Sequence, residues 1–202
     1  MAFDASTQAK IFAVVLAAGE SRRFGTTKQL ATFRGEKFVH GAARIARDCC
    51  ADNTVIVVGH KASEVCRATD RQCQFVLIND RYKGGLGSSI ALAANALAHA
   101  ADALLLILAD QPLITTRHLR ELIAAWSGAD DNIVATQFDN VKGPPILMPT
   151  AAFSLLQTLS GDQGAKHLLE NENFQLTTVR FDNARIDIDT PEDLERLNQV
   201  VD

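Results

Sequence analysis

Short runs of Val, Ile and Leu that alternate with helical patterns constrain the fold of this chain most strongly. Four runs are almost continuously apolar, at Ile11–Leu16, Thr54–Val58, Ala103–Leu108 and Asn132–Ala135. A weaker fifth run lies at Phe75–Ile78. Apolar runs of this length are typical of strands that are buried on both faces, which is the usual situation in parallel sheets.

Helical patterns fill the segments between these runs. The predicted helices are Lys37–Cys49, Lys61–Thr69, Ser88–Ala100 and Thr115–Trp126. Hydroxyl side chains at Ser88, Ser89 and Thr115 stand where N-caps are expected. A chain that repeats strand, helix and strand implies right-handed crossovers, so it predicts an α/β three-layer sandwich around a Rossmann-like, mostly parallel or mixed sheet.

The pattern changes after about residue 136. There, Gly143-Pro144-Pro145 predicts an interruption of regular structure. The remaining elements are predicted to be short helices at Ala151–Leu159 and Lys166–Glu170, a strand at Gln175–Phe181 and a closing helix at Pro191–Val200. Thr190 is the expected N-cap of the closing helix. Neither an internal repeat nor a linker is visible, so one domain is expected over residues 1–202.

Charge and hydropathy exclude several classes of function. The 20 Lys and Arg residues are outnumbered by 24 Asp and Glu residues, and the net charge is −4. Such a chain lacks the overall basic field that nucleic-acid binding normally requires, so any anion site must be local. The longest apolar runs, Ile11–Ala18 and Ala103–Ala109, are far shorter than the roughly 20 residues that span a bilayer, and residues 1–10 do not resemble a secretory signal. We therefore expect a cytoplasmic protein with neither nucleic acid nor membrane as a partner.

The cysteines and histidines match no metal-binding pattern. Cys49, Cys50, Cys66 and Cys73 lack the CxxC spacing of zinc pairs, and the five histidines include neither HxH nor HExxH. Reduced thiols, partly in the core, are the expectation for a reducing compartment. We expect no structural metal cluster.

A glycine-rich, basic turn follows the first strand, with the sequence Leu16-Ala-Ala-Gly-Glu-Ser-Arg-Arg-Phe-Gly-Thr-Thr-Lys28. It lies at the carboxyl edge of the predicted sheet, where open α/β folds bind ligands. The small residues from Ala17 to Gly19 let the backbone approach a ligand, and successive N–H groups can bind phosphate oxygens. Arg22 or Arg23, together with Lys28, supplies positive charge for a triphosphate. The alternative is an ordinary turn whose basic side chains are merely solvated.

The spacing in this turn excludes two common phosphate-binding motifs. A P-loop needs Gly-Lys-Ser/Thr as neighbours, whereas two threonines separate Gly25 from Lys28. The dinucleotide fingerprint GxGxxG is also absent, which disfavours an NAD-dependent dehydrogenase.

The pattern LAAGxSxRxGxxK instead resembles the signature of the molybdenum cofactor nucleotidyltransferases. That family lies within a larger group that includes sugar-nucleotide pyrophosphorylases and methylerythritol cytidylyltransferases. The matching residues are Leu16, Ala17, Ala18, Gly19, Ser21, Arg23, Gly25 and Lys28. The resemblance implies a fold of the nucleotide-diphospho-sugar transferase type and implies that all eight residues bind the nucleotide.

A second segment, Asn79–Ser89, resembles the part of this family that closes over the base and the ribose. The resemblance implies further nucleotide contacts from Asp80, Gly87, Ser88 and Ser89. Gly87 frees the turn, while the serines and the helix N-terminus present donors to oxygen atoms. For either serine, a plain helix cap is the alternative interpretation.

Carboxylates in two other segments resemble the family's metal ligands. Leu108-Ala-Asp-Gln-Pro112 places Asp110 at the position of the metal-binding aspartate, and Ala-Asp-Gln-Pro is typical of the cytidylyltransferase branch. A carboxylate at the end of a buried strand can hold Mg²⁺ beside phosphates, although Asp110 could simply cap the following turn. The segment Arg185–Leu194 resembles the branch's closing motif, where Asp187 or Asp189 supplies a second ligand. Asp189 has the alternative of supporting the cap at Thr190.

The acceptor side is implied by two segments, Gly143–Met148 and Gly161–Lys166. Pro144 departs from the branch, which commonly carries His or another polar residue there. Lys166 or Lys142 is a candidate to bind the phosphate of the acceptor.

Taken together, the resemblance implies transfer of CMP from CTP to the molybdopterin form of the molybdenum cofactor, with release of pyrophosphate. Arg23, Lys28 and Asp110 would be the catalytic residues and Mg²⁺ the cofactor, with nucleotide binding in residues 11–115 and acceptor binding in residues 116–202. A molybdoenzyme or its chaperone would receive the cytosine dinucleotide product. The alternatives are GTP as donor, a methylerythritol or sugar phosphate as acceptor, or a module that binds nucleotide or cofactor without catalysis.

Overall fold

The computed structural model describes residues 9–200, so the outermost residues of the predicted domain, 1–8 and 201–202, lie outside the described range. Within it, seven strands form one sheet and two short strands form a separate hairpin. The strands are β1 (Ile11–Ala17), β2 (Thr32–Phe33), β3 (Glu36–Lys37), β4 (Thr54–Val58), β5 (Phe75–Ile78), β6 (Ala103–Leu108), β7 (Asn132–Phe138), β8 (Val141–Pro149) and β9 (Gln175–Arg180). Each apolar run that predicts a strand lies in the large sheet.

Helices cover both faces of the large sheet. They are α1 (Phe38–Cys50), α2 (Ala62–Ala68), α3 (Leu86–Leu97), α4 (Thr116–Ala125), α5 (Phe153–Leu156) and α6 (Pro191–Val200). One apolar core lies between the sheet and α3 with α5, and the other lies between the sheet and α1, α2 and α4. The predicted three-layer α/β architecture is therefore confirmed. No helix within residues 9–200 is both long and apolar enough to cross a bilayer.

The strand order of the sheet is β5-β4-β1-β6-β8-β7-β9. Neighbours pair in parallel on the side of β5, β4, β1 and β6, and β9 is parallel to β7. Among these seven strands only β8 runs against its neighbours, since it is antiparallel to both β6 and β7. The sheet is thus mixed and mostly parallel, as predicted. The carboxyl ends of β1, β6 and β7 lie at the same edge of the sheet.

The expected interruption at Gly143-Pro144-Pro145 is wrong, because these residues lie inside β8. The register between β7 and β8 shifts between Ala135 and Thr136, so that Gly143 pairs with Thr136 while the two prolines fall at the irregularity. Proline has no N–H to donate, and it is tolerated at such bulges. The buried Thr136 hydroxyl donates to the Pro145 carbonyl at 2.8 Å and stabilises the bulge.

Helix α3 begins at Leu86, two residues before its predicted start at Ser88. Gly85 precedes it and provides no side-chain cap, so the predicted hydroxyl cap is wrong. The Ser88 hydroxyl donates to the Gly85 carbonyl at 2.8 Å, and the Asn79 amide donates to Ser88 and Ser89 at 2.9 Å each. Both serines therefore tie the first turn of α3 to the end of β5.

The caps predicted for α4 and α6 are confirmed. The Thr115 hydroxyl accepts from the His118 amide at 3.2 Å. At α6, the Thr190 hydroxyl accepts from the Asp193 amide, and the Asp193 carboxylate accepts from the Thr190 amide at 2.9 Å. This reciprocal capping box fixes the backbone immediately after Asp189.

A third apolar cluster joins the loop after β1 to the end of the chain. It contains Phe24 of that loop, Phe33 of the hairpin, and Ile188 and Leu197 from the closing segment. The Ile188 amide also donates to the Asp110 carbonyl at 3.1 Å. Ile188 is fully buried, so the residues on either side of it are carried to the carboxyl edge of the sheet, beside β1 and β6.

All four cysteines are free and partly exposed. Burial raises the pKa of the Cys50 and Cys73 thiols to about 12 and that of Cys49 to about 11. A thiol with such a high pKa is a poor nucleophile, because the thiolate is the reactive form. These cysteines therefore act as small apolar residues of the α1 and α2 face.

Candidate functional site

A cavity of about 480 Å³ opens at the carboxyl edge of the sheet, between β1, β6, the start of α3 and the residues before α6. The carboxyl edge of an open α/β sheet is the usual place for a ligand, as the sequence predicts. The lining residues are Leu16, Ala18, Gly19, Glu20, Ser21, Arg22, Arg23, Lys28, Gln29, Tyr82, Lys83, Gly85, Leu86, Ser89, Leu108, Asp110, Asp162 and Asp189.

Nine of the residues predicted to bind nucleotide or metal line this cavity. They are Leu16, Ala18, Gly19, Ser21, Arg23, Lys28, Ser89, Asp110 and Asp189. They come from four separate stretches of the chain, which the fold brings to one place. The loop after β1 contributes most of them, in agreement with its length and its position at the strand end.

The other predicted residues lie outside the lining. Ala17 packs into the core on the α1 side, because neighbouring residues of a strand point to opposite faces. Gly25 supports a turn with φ +76°, and the side chain of Asp80 is exposed to solvent. Gly87 and Ser88 make contacts within the protein at the start of α3.

The loop after β1 is held in shape by the buried side chain of Gln29. Its amide nitrogen donates to the Gly19 carbonyl at 2.9 Å, and its amide oxygen accepts from the Ser21 hydroxyl at 3.2 Å. The Ser21 hydroxyl in turn accepts from the Lys28 amide at 3.2 Å. Ser21 has φ +57°, a conformation that such local hydrogen bonds help to maintain. These bonds fix a loop whose residues Gly19 and Ser21 line the cavity.

Two cations and two carboxylates form a linked cluster on the floor of the cavity. Lys28 Nζ lies 2.7 Å from Asp110 Oδ2 and 2.9 Å from Asp189 Oδ1. Arg23 Nη2 lies 2.8 Å from Asp189 Oδ2. Burial alone would lower the pKa of Lys28, but the two carboxylates outweigh it and raise that pKa above its ordinary value. Lys28 is therefore fully protonated at neutral pH.

Negative charge is concentrated around Asp110. Its Oδ1 atom is buried and has no hydrogen-bond partner in the described part of the chain. Burial, with the nearby charge of Asp110, raises the pKa of Asp187 to about 6. Asp187 lies outside the lining of the cavity but close enough to interact with this carboxylate. An unpaired buried carboxylate oxygen is costly, so this arrangement favours a further cation.

The donor set fits a divalent metal that a substrate helps to bind. Within residues 9–200, no group of three or more His, Cys, Asp or Glu side chains is placed to hold a metal ion by itself. Mg²⁺ commonly takes one or two carboxylates and completes its octahedron with water and substrate phosphate oxygens. The free Oδ1 atom of Asp110 meets the first of these requirements.

Several cavity residues are not predicted individually by the sequence, among them Gln29, Tyr82, Lys83 and Asp162. Tyr82 and Lys83 lie in the predicted nucleotide segment Asn79–Ser89, and Asp162 lies in the predicted acceptor segment Gly161–Lys166. Gln29 had a signal, since it directly follows the last residue of the glycine-rich motif. For Tyr82 the signal in the sequence is weaker and consists of a glycine at position 59, because a Cβ there would lie 2.8 Å from the Tyr82 ring. Gly59 thus lets this ring pack against the end of β4.

The start of α3 is docked against the segment of residues 160–163. The Gly87 amide donates to the Gly161 carbonyl at 3.0 Å, and a Cβ on Gly87 would lie 2.7 Å from the Ser160 amide nitrogen. A Cβ on Gly85 would overlap the Gly161 carbonyl group. This backbone-to-backbone contact places Asp162 in the wall of the cavity. Gly87 therefore has a packing role that its position in the sequence did not reveal.

The two lysines predicted to bind the acceptor phosphate lie elsewhere, whereas Asp162, in the predicted acceptor segment Gly161–Lys166, lines the cavity. Neither Lys142 nor Lys166 lines the cavity, and both side chains are exposed. The Pro144 carbonyl accepts from the Gln111 amide at 3.5 Å, next to the end of β6.

Comparison with known proteins matches residues 13–178 to the MobA-like NTP transferase domain. The chain belongs to this family. The match begins in β1 and ends in β9, so it includes the loop after β1 and Asp110. The fold is accordingly that of the NTP transferases, as the resemblance of the glycine-rich turn implies.

Two relatives extend over almost the whole chain. The nicotine blue oxidoreductase of Paenarthrobacter nicotinovorans is 30% identical over 193 residues, which cover 91% of this chain and 94% of that protein. The purine catabolism protein PucB of Bacillus subtilis is 27% identical over 202 residues, covering 95% of this chain and 97% of that protein.

Solved structures superpose over a similar extent. The Rv0371c homologue of Mycobacterium sp. strain JC1 has a TM-score of 0.80 at 33% identity and covers 95% of this chain and 96% of its own. Rv0371c of Mycobacterium tuberculosis in complex with manganese has a TM-score of 0.76 at 26% identity, covering 94% of this chain and 98% of its own.

Proposed function

We propose that this member of the NTP transferase family transfers CMP from CTP to the terminal phosphate of a molybdopterin-type cofactor and releases pyrophosphate. The observation that carries the proposal is the cluster of Lys28, Asp110 and Asp189 under the loop of residues 19–28, inside one cavity. Phosphate-binding backbone, buried cation and metal-binding carboxylate are the parts that nucleotidyl transfer needs.

The loop after β1 would bind the phosphates of the nucleotide. Gly19 lines the cavity and its carbonyl is held by Gln29, so the amides around Gly19 would bind the β- and γ-phosphates, for which Arg23 adds positive charge. Lys28 reaches the α-phosphate from the floor of the cavity. The base and the ribose are left to the region of Tyr82, Ser89 and Asp162.

Asp110, with Asp187 or Asp189, would hold a divalent metal beside the phosphates. When bound, Mg²⁺ or Mn²⁺ supplies charge neutralisation at the attacking and leaving oxygens. The manganese complex of Rv0371c supports a divalent metal in this fold at 26% identity. The free Oδ1 atom of Asp110 supports the same residue as the main ligand.

No side chain needs to form a covalent intermediate. A phosphate oxygen of the acceptor attacks the α-phosphorus, and the bond from that phosphorus to the bridging oxygen breaks, so that its electron pair leaves with pyrophosphate. Lys28 and Arg23 stabilise the charge that develops, and the loop aligns the two phosphates. Lys142 or Lys166 would bind the acceptor phosphate from outside the cavity. Unchanged acceptor affinity in both alanine variants would remove that assignment.

The product would be a cytosine dinucleotide form of the cofactor, which a molybdoenzyme or its chaperone would receive. GTP as donor, or a methylerythritol or sugar phosphate as acceptor, would use the same phosphate chemistry. Base choice depends on a few contacts that are worth only about 1–3 kcal/mol each in many pockets.

The decisive experiment measures pyrophosphate release from CTP, GTP, ATP and UTP, with Mg²⁺ or Mn²⁺ and each class of acceptor. We expect CTP with the molybdenum-loaded pterin to be the best pair and the Asp110→Asn variant to be inactive. Preference for GTP would replace cytidylyl by guanylyl transfer, and preference for a sugar phosphate would replace the pterin.

A second class of function is an oxidoreductase, which the name of the nicotine blue oxidoreductase, a relative at 30% identity, favours. It predicts substrate-dependent oxidation of NAD(P)H without pyrophosphate release, although the turn after β1 lacks GxGxxG. A module that only binds nucleotide predicts neither reaction, and the Asp110→Asn protein would then behave like the wild type.

A further inference from the structure

The side chain of Lys28 occupies the position between the two carboxylates that a metal would need. It is 9% exposed, and its Nζ atom lies 2.7 Å from Asp110 Oδ2 and 2.9 Å from Asp189 Oδ1. These carboxylates come from segments far apart in the chain, so the ammonium group joins them. In this state both anions contact the ammonium group of Lys28, and Arg23 additionally pairs with the second oxygen of Asp189 at 2.8 Å.

A divalent ion cannot take these oxygens while Lys28 remains. Mg²⁺ binds carboxylate oxygens at about 2.0–2.1 Å, so an ion on Asp110 Oδ2 or Asp189 Oδ1 would lie close to the ammonium. Two like charges at such a distance repel each other strongly in a partly buried site. The other oxygen of this carboxylate, Asp110 Oδ1, has no hydrogen-bond partner among the described residues, but an ion bound to it would still be repelled by the positive charge of Lys28.

The side chain of Lys28 can leave without disturbing the loop. Its backbone amide is fixed by the Ser21 hydroxyl at 3.2 Å, and its neighbour Gln29 is buried and hydrogen-bonded. The flexible stem of a lysine can therefore swing while the backbone stays in place. A triphosphate in the cavity offers a stronger anionic partner than either carboxylate.

We infer that Lys28 is a placeholder cation, which occupies the Asp110–Asp189 pair in the nucleotide-free protein and moves to the phosphates when a nucleotide binds. Metal affinity is therefore low until the nucleotide draws Lys28 away, and metal and nucleotide bind cooperatively. The inference rests on the proposed function in that it assigns this cavity to a nucleotide and a divalent metal.

The test measures Mn²⁺ binding to the nucleotide-free protein by electron paramagnetic resonance. We expect Lys28→Met to bind Mn²⁺ about tenfold more tightly than the wild type, which is within the usual range for coupled sites. The Lys28→Arg variant keeps the positive charge, so its Mn²⁺ binding should remain as weak as that of the wild type. Lys28→Gln is a second neutral variant, in case the methionine protein does not fold.

Lys83→Met is the matched control. Lys83 lines the same cavity, but no carboxylate among the described residues lies within ion-pair distance of it. Removing its charge should leave Mn²⁺ affinity within about twofold of the wild type, because Lys83 does not stand between metal ligands. The double variant Lys28→Met/Asp110→Asn should lose the gain, which would locate the bound ion at this pair.

A second arm adds a non-hydrolysable CTP analogue. It should raise the Mn²⁺ affinity of the wild type more than that of Lys28→Met, because the variant has no placeholder left to remove. Equal Mn²⁺ affinity in the wild type and both neutral Lys28 variants, all folded, would overturn the inference. If the Mn²⁺ affinities are equal but the wild type still releases pyrophosphate, the inference fails while the proposed function remains supported. Tighter Mn²⁺ binding without any nucleotidyl transfer would leave only the placeholder role.

Discussion

Gly85 is the position where a single methyl group should disturb the site most. It has φ +83° and ψ −178°, a backbone conformation that is essentially restricted to glycine. A Cβ there would also overlap the Gly161 carbonyl group and lie 2.8 Å from the Asp162 amide nitrogen. The Gly85→Ala substitution therefore combines backbone strain with a clash against backbone atoms that have no rotamer to change.

The magnitude follows from three terms. Strain in this region costs about 1–3 kcal/mol. Displacing the segment of residues 160–163 breaks the hydrogen bond from Gly87 to Gly161, which is worth about 1 kcal/mol. Overpacking adds roughly 1 kcal/mol or more. We expect Gly85→Ala to lower the free energy of unfolding by about 3–5 kcal/mol.

Two other glycines separate these terms. Gly128 has φ +82° but no atom within 4 Å of a Cβ, so Gly128→Ala should cost only about 1–2 kcal/mol of backbone strain. Gly87 has no positive φ, but a Cβ would lie 2.7 Å from the Ser160 nitrogen and 2.9 Å from the Gln163 oxygen. Gly87→Ala should cost about 1–3 kcal/mol through the clash alone.

Urea unfolding at pH 7 measures all three variants against the wild type. The expected order of destabilisation is Gly85→Ala first, with Gly87→Ala and Gly128→Ala both smaller. The order assumes that the three proteins unfold with equal m-values, which the same titrations report. If Gly85→Ala were no less stable than Gly128→Ala, the contact with residues 160–163 would not be the tight one described, and the reasoning would fail.

Three further outcomes are expected. Burial lowers the pKa of His118 to about 4, below its unfolded value near 6.5. Because the folded protein then binds fewer protons than the unfolded chain, its free energy of unfolding should fall by up to roughly 3 kcal/mol as the pH falls from 6.5 to 4. The urea midpoint of His118→Gln should therefore depend less on pH than that of the wild type. Gln29→Leu should raise the KM for nucleotide more than it lowers kcat, because the loop loses two hydrogen bonds, whereas equal effects on both would contradict a positioning role. Cys50 and Cys73, with thiol pKa values of about 12, should react with iodoacetamide at pH 8 far more slowly than a free cysteine until urea unfolds the protein.

Much of the fold could be predicted from patterns in short stretches of the sequence. The apolar runs at β1, β4 and β6 predict buried strands because strands of this kind are covered on both faces, and Thr115 and Thr190 mark helix starts because their hydroxyls accept the first free amides. The glycine-rich turn likewise combines its chemistry in consecutive residues. Such features depend on near neighbours in the chain, so they can be predicted without knowing the rest of the structure.

Other features depend on residues that meet only after folding. Lys28 and Asp189 lie 161 residues apart, and although the resemblance places both in one site, nothing in either segment predicts that they form an ion pair. The family resemblance implies a nucleotide contact for Gly87, and nothing nearby in the sequence predicts that its amide also donates to the Gly161 carbonyl. The prolines of β8 are tolerated because they form the bulge themselves, opposite the step from Ala135 to Thr136 in β7. Each of these outcomes was determined by tertiary packing.

The antiparallel direction of β8 creates a position where the chain can accept inserted residues without a change in the sheet. It means that a two-residue turn, Asp139-Asn140, joins β7 to β8 at the same edge as the cavity, where a crossover helix would otherwise begin. The register of β8 with β6 is set by buried residues such as Ile146 and Leu147, so residues inserted at the turn would leave the sheet intact. Lengthening this hairpin would thus add a new wall at the edge of the sheet where the cavity opens, while the sequence and the hydrogen bonds of the loop after β1 stay unchanged.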